Sequence, residues 1–155
     1  MKIQWKKLLL CLFIPLAVGG LSALLSAGGM RDFAAVRQPR LAPPAWLISV
    51  VWTLLYLLMG LAAYLVLTGG SCRQRREAMV VYGAQLAVNF FWSVLFFTFK
   101  AYLLAFVWLV LLWGLIVLTI WRFAAVRPLA GWLLVPYLLW VTFAGYLNFG
   151  VFLLN

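Results

Sequence analysis

The chain has 155 residues, 68% of them apolar and 9% charged, with a formal net charge of +10. A soluble domain is ~45–50% apolar and ~25% charged, and a globule this small cannot bury such an apolar surplus, so a water-soluble fold is excluded and a polytopic membrane protein is expected. With no His, and with Asp32 and Glu77 as the only acids, His-based triads, His-ligated haem and His-rich zinc sites are excluded.

A spanning helix needs ~20 mostly apolar residues. Five runs meet that length: 8–27, 46–67, 78–99, 101–123 and 129–154. Barrel strands would instead alternate over ~10 residues. The expectation is an all-α membrane protein, a single domain over 1–155 built as a bundle of five transmembrane helices, each satisfying its own backbone in hydrocarbon.

Lys2, Lys6 and Lys7 precede the first run. That pattern also describes a secretory leader, but Leu25-Ser26-Ala27 makes a poor cleavage site and the run is long, so it is read as a span. Gly19, Ala23 and Ala27 form a small-residue series on it that permits close helix approach. The connection 28–44 carries Arg31, Asp32, Arg37, Arg40 and the prolines Pro39, Pro43 and Pro44. It is too polar to span and is stiffened by proline, so it is expected to cap one membrane face.

In the second run Trp52, Tyr56 and Met59 fall within about 60° of one another on a helix. The connection 68–77 contains Cys72, Arg73, Arg75 and Arg76. Cys11 and Cys72 have no metal-site spacing and imply no disulfide framework. The third run places Gln85, Asn89, Trp92 and Phe96 on one narrow face, and Gly83 with Ala87 forms a small-xxx-small pair available for helix packing or a homodimer. Lys100 marks a turn so short that the third and fourth helices must be antiparallel neighbours.

The fourth run holds Trp108 and Trp113 but almost no polar residue, and reads as lipid-facing scaffold. A tight 122–128 link leads to Pro128, suited to a first helical turn. The last run puts Pro136, Tyr137, Trp140, Ala144, Leu147 and Asn148 on one face. Trp5, Trp46, Trp121 and Trp132 lie near run ends, where an aromatic belt accounts for them.

Eight Lys and Arg residues fall on the N-terminal side (Lys2, Lys6, Lys7, Arg73, Arg75, Arg76, Arg122, Arg127) and four on the other (Arg31, Arg37, Arg40, Lys100). The N-terminus is therefore expected in the cytoplasm, with the proline-rich connection outside. The basic surplus is read as topology signalling and contact with anionic headgroups rather than nucleic-acid binding.

Three helices thus each present aromatic rings with amides or a phenol. Polar groups are costly in lipid, so these stripes should face inward, either as interhelical glue or as the lining of a pocket. Rings converging with a few amides suit a large, flat, apolar ligand with polar edges, and the pocket reading is preferred for the set.

Three segments, in order, resemble the translocator protein family, also called tryptophan-rich sensory proteins or peripheral-type benzodiazepine receptors. They are Pro43-Pro44-Ala45-Trp46 with Val51-Trp52-Thr53-Leu54-Leu55-Tyr56-Leu57-Leu58-Met59-Gly60; Gln85-Leu86-Ala87-Val88-Asn89-Phe90-Phe91-Trp92-Ser93 with Phe96-Phe97; and Val135-Pro136-Tyr137-Leu138-Leu139-Trp140-Val141-Thr142-Phe143-Ala144 with Leu147-Asn148. The resemblance implies a five-helix bundle, often dimeric, with a cavity under the first extramembrane loop for protoporphyrin IX or a related tetrapyrrole, and no required cofactor. Carried over by motif, the implied ligand-binding residues are Trp52, Tyr56, Asn89, Trp92, Phe96, Trp140, Ala144 and Leu147. For some bacterial members it further implies light- and oxygen-dependent porphyrin degradation, with Trp52 and Trp140 as the residues concerned. The sterol pattern of animal members needs a basic residue after a C-terminal Tyr, but Tyr146 is followed by none, so a bacterial-type member in a bacterial cell membrane is expected.

The leading expectation is a membrane receptor or carrier for tetrapyrroles, with Arg31, Arg37 or Arg40 available to meet propionates. The alternatives are tryptophan-dependent porphyrin degradation and a non-catalytic scaffold. The sequence offers no conventional acid, base or metal constellation.

Overall fold

The computed structural model describes residues 2–33 and 35–155. Six α-helices and one π-helical turn make up five spans: α1 (Trp5–Phe33), α2 (Ala45–Leu67), α3 (Cys72–Ser93) continuing into the π turn (Val94–Thr98), α4 (Tyr102–Val126), and α5 (Pro128–Leu133) followed by α6 (Val135–Leu154). All five are long and apolar enough to cross a bilayer.

Several helix ends differ from the apolar runs, because hydropathy senses the hydrocarbon layer and not the helix. α1 extends to Phe33 rather than ending at residue 27, since nothing in Gly28-Gly29-Met30 breaks it. The 68–77 connection shrinks to four residues. Ser71 caps α3 by accepting from the Gln74 N–H at 3.2 Å, and the Gln74 side chain accepts from the Ser71 N–H at 3.1 Å. Arg73, Arg75 and Arg76 therefore ride on the first turns of a helix. Gly70 supplies the left-handed backbone (φ 64°) that the tight turn requires. The last span breaks at Leu134, because Pro136 offers no N–H to the carbonyl four residues before it. Pro136 itself is exposed, off the inward face on which it was expected.

The helices form a ring. α1 packs on α2, α3 and the π turn; α3 packs on α4; α4 packs on α5 and α6; and α5 returns to α2. Two close backbone approaches set the α1 contacts. Pro15 cannot donate to the Cys11 carbonyl, and that carbonyl lies against Gly60, where a Cβ would stand 2.6 Å away. Gly29 lies against the Phe97 carbonyl in the same manner. The inward stripe of α1 is Cys11, Pro15, Gly19, Ser22, Ser26 and Gly29, and of the expected Gly19, Ala23 and Ala27 series Gly19 lies against the Tyr56 ring while Ala23 lines the cavity.

α4 is more than lipid-facing scaffold. One face, including Leu109, Leu112, Ile116 and Phe123, is buried. Its Trp108 indole donates to the Val88 carbonyl at 2.7 Å, and Trp113 donates to Thr142 at 2.9 Å.

The two ends of the bundle carry unequal charge. At one end Glu77 pairs with Arg73 and Arg122, each at 3.1 Å, and Arg127 donates to the Thr68 carbonyl at 2.9 Å. At the other, Lys100 pairs with Asp32 at 3.4 Å across exposed surface. Trp5, Trp46, Trp121 and Trp132 are all exposed near span ends, as a belt requires.

Candidate functional site: an aromatic cavity under the connecting cap

The segment after α1 folds back over the open end of the ring. The Arg37 N–H donates to the Asn155 side-chain oxygen at 3.4 Å, and the Asn155 amide donates to the Arg37 carbonyl at 2.9 Å. Pro39 rests on Gly150, where a Cβ would stand 2.5 Å from its ring. Proline-limited backbone makes such a strap stiff enough to hold this shape.

Beneath it lies a cavity of about 410 Å³. Ligand pockets typically measure ~300–1,000 Å³. Gln38, Pro39 and Pro43 form its roof. Trp52, Tyr56, Trp92, Phe96, Trp140, Ala144 and Leu147 all line it, so seven of the eight residues singled out from the sequence converge on one space. The eighth, Asn89, is buried behind the wall rather than in it. Arg31, Arg37 and Arg40 do not line the cavity; all three are exposed.

The rings are held in pairs. Trp52 stacks on Tyr56 (centroids 5.6 Å, planes 28° apart) and Trp92 on Phe96 (5.2 Å, 23°). Phe96 and Phe97 both line the cavity from the π turn.

Behind the rings runs a chain of buried hydrogen bonds. The Tyr56 hydroxyl donates to the Asn89 oxygen (3.0 Å), the Asn89 amide donates to the Tyr137 hydroxyl (2.6 Å), and that hydroxyl donates to the Gln85 oxygen (2.7 Å). A second chain fixes Trp92, whose indole donates to Asn148 (3.1 Å), while Asn148 donates to the Tyr102 carbonyl (2.8 Å). The amides expected on the inward stripes thus brace the aromatic wall. Among the described residues, the Trp140 indole nitrogen is a buried donor without a partner.

Sequence reasoning placed Phe96 of the π turn in the site but missed Phe97 and the share of α1. Leu16, Ser22, Phe33 and Phe97 all line the cavity. The helical spacing of Gly19, Ser22, Ser26 and Gly29 was the available signal for α1. For Phe97 the signal was its place beside Phe96 in the same motif.

A ring of five membrane spans, closed on one side by a proline-rich strap and enclosing a tryptophan-lined cavity, defines a multi-pass integral membrane protein. The chain matches the TspO/MBR family over residues 11–154 and belongs to it. It is 41% identical over 150 residues to the tryptophan-rich protein TspO of Chlorobaculum tepidum, covering 96% of this chain and 95% of that protein. It is 35% identical over 150 residues to the protein of the same name from Archaeoglobus fulgidus (96% and 97%). It is also 35% identical over 139 residues to the translocator protein of Bos taurus (88% and 82%).

Proposed function

We propose that this protein binds a tetrapyrrole such as protoporphyrin IX in the cavity and acts as a membrane receptor or carrier for it. The supporting observation is the convergence of Trp52, Tyr56, Trp92, Phe96 and Trp140 on one enclosed space under the strap. A flat macrocycle gains most from aromatic faces, which combine large buried area with favoured offset stacking. The braced rings present those faces already ordered, so little side-chain freedom is lost on binding.

In this reading the basic end lies in the cytoplasm and the strap faces outward across a bacterial cell membrane. Homodimerisation belongs to the same reading. Gly83 and Ala87 face outward from α3, with open space where a second helix would lie.

The test is a titration of protoporphyrin IX against tryptophan fluorescence. Saturable quenching is expected, reduced in the Trp52→Phe/Trp140→Phe double variant. No quenching, or equal quenching in the double variant, rejects the site.

A second reading rests on the placement of Trp52 and Trp140 in the same cavity: light- and oxygen-dependent breakdown of bound porphyrin. Its mark is a new chromophore formed under illumination and lost in Trp140→Phe. Binding without product leaves the receptor or carrier alone.

A further inference from the structure

The ring of helices is not sealed equally on all sides. α5 joins α2 at the basic end, but above it α2 and α6 diverge. Between them runs an outward-facing groove of about 560 Å³. Leu54, Leu55 and Leu58 line it from α2; Leu139, Trp140 and Phe143 line it from α6. At 1.5 Å per residue Leu54 lies ~14 Å along an ~35 Å helix, near the middle of the span. The groove therefore opens on hydrocarbon.

Among the described residues, Trp140 alone lines both this groove and the cavity. Its ring borders both spaces. Trp92 is anchored through its indole to Asn148, and Trp108 to the Val88 carbonyl. The Trp140 indole has no such anchor and rests on the Phe143 ring at 5.6 Å. Turning it breaks no hydrogen bond. The opposite route, past the strap, is latched by the two Arg37–Asn155 hydrogen bonds.

We propose that the α2–α6 groove is a lateral portal. A flat apolar ligand dissolved in the bilayer first seats on the leucines of the groove and passes into the cavity as the Trp140 ring swings aside. This rests on the tetrapyrrole reading above, and the groove's occupant is that same class of ligand in transit. Continuity through Trp140 and the wholly apolar side-chain lining, that indole nitrogen aside, select a membrane-dissolved ligand over an aqueous one.

Leu54 and Leu139 are 55% and 65% exposed, so cysteines placed there are open to a cross-linker. In a Cys11→Ala/Cys72→Ser background, Leu54→Cys/Leu139→Cys is bridged with a cleavable bis-maleimide in proteoliposomes, and protoporphyrin IX quenching is followed by stopped flow. The association rate is expected to fall at least tenfold on bridging and to recover on cleavage, with equilibrium quenching unchanged. Recovery on cleavage separates this effect from misfolding. Bridging Arg37→Cys/Asn155→Cys in the same way should leave the rate unchanged. An unslowed α2–α6 bridge, or slowing by the Arg37–Asn155 bridge alone, overturns the portal while the tetrapyrrole reading stands. No quenching in the wild-type protein overturns both.

Discussion

The hydroxyl of Tyr56 donates to the side-chain oxygen of Asn89 at 3.0 Å, although Tyr56 lines the cavity and Asn89 does not. Asn89 acts on the site through the ring it holds. Its amide also donates to Tyr137, so its removal leaves the Tyr56 hydroxyl without its acceptor and takes one donor from Tyr137, which keeps its bond to Gln85. Unpaired buried polar groups cost ~1–3 kcal/mol each, while interhelical bonds in membranes average nearer ~0.6. Asn89→Ala is expected to lower stability by about 1–3 kcal/mol, read as a drop in Tm without ligand. An unchanged Tm would show that the chain of hydroxyls re-pairs without it.

Neighbouring glycines in α1 should behave oppositely. A Cβ at Gly29 meets the Phe97 carbonyl, which is backbone and cannot step aside, whereas a Cβ at Gly28 meets nothing within 4 Å. Gly29→Ala is expected to cost ~1–3 kcal/mol as an overpacked site. Gly28→Ala should be neutral or gain up to ~1 kcal/mol from helix propensity. Thermal melts of the two variants side by side decide this.

The strap should loosen when its latch is cut. Asn155→Ala removes both hydrogen bonds to the Arg37 backbone. A loss of 1–2 kcal/mol raises the open population about 5–30-fold. Trypsin has targets at Arg37 and Arg40, and cleavage tracks that population when opening is fast. Digestion within the strap should accelerate by that factor. Wild-type cleavage rates would mean that Pro39 on Gly150 suffices to hold it.

At the opposite end the cap should outweigh the ion pairs. Ser71→Ala removes an N-cap and should cost about 1 kcal/mol. Glu77→Gln removes two ion pairs at a carboxylate 40% exposed, and such pairs contribute ~0–1 kcal/mol. Hydrogen exchange over Arg73–Arg76 should therefore rise more in Ser71→Ala than in Glu77→Gln.

What the sequence made legible follows from what controls each feature. The spans were legible because hydrocarbon demands long apolar runs, and the inward faces of α2, α3 and α6 because buried amides and phenols at helical spacing have few alternatives. Tyr56, Gln85, Asn89, Trp92, Phe96, Tyr137 and Asn148 are accordingly all buried. Helix ends were not legible, since the Ser71–Gln74 cap carries α3 past the apolar run. Nor was the division of labour between wall and brace. Spacing places Asn89 on the cavity side of α3, but only the Tyr56 ring in front of it decides which of the two a ligand can touch. The α1 contribution was obscured because Ala23 resembles Gly19 by size, yet only the Tyr56 ring lying against Gly19 shows which position tolerates no methyl group.

The π turn over Val94–Thr98 closes with the Phe99 N–H on the Val94 carbonyl, five residues back. In counting terms this stretch holds one residue more than an α-helix of the same pitch would. Deleting a single residue there should yield a continuous α-helix that looks harmless in local structure. The chain beyond would keep its heading, since the extra residue is what the wider turn absorbs. The loss would fall on the cavity wall, which draws Phe96 and Phe97 from these five residues. The surplus residue thus serves the lining of the site rather than the join between α3 and α4.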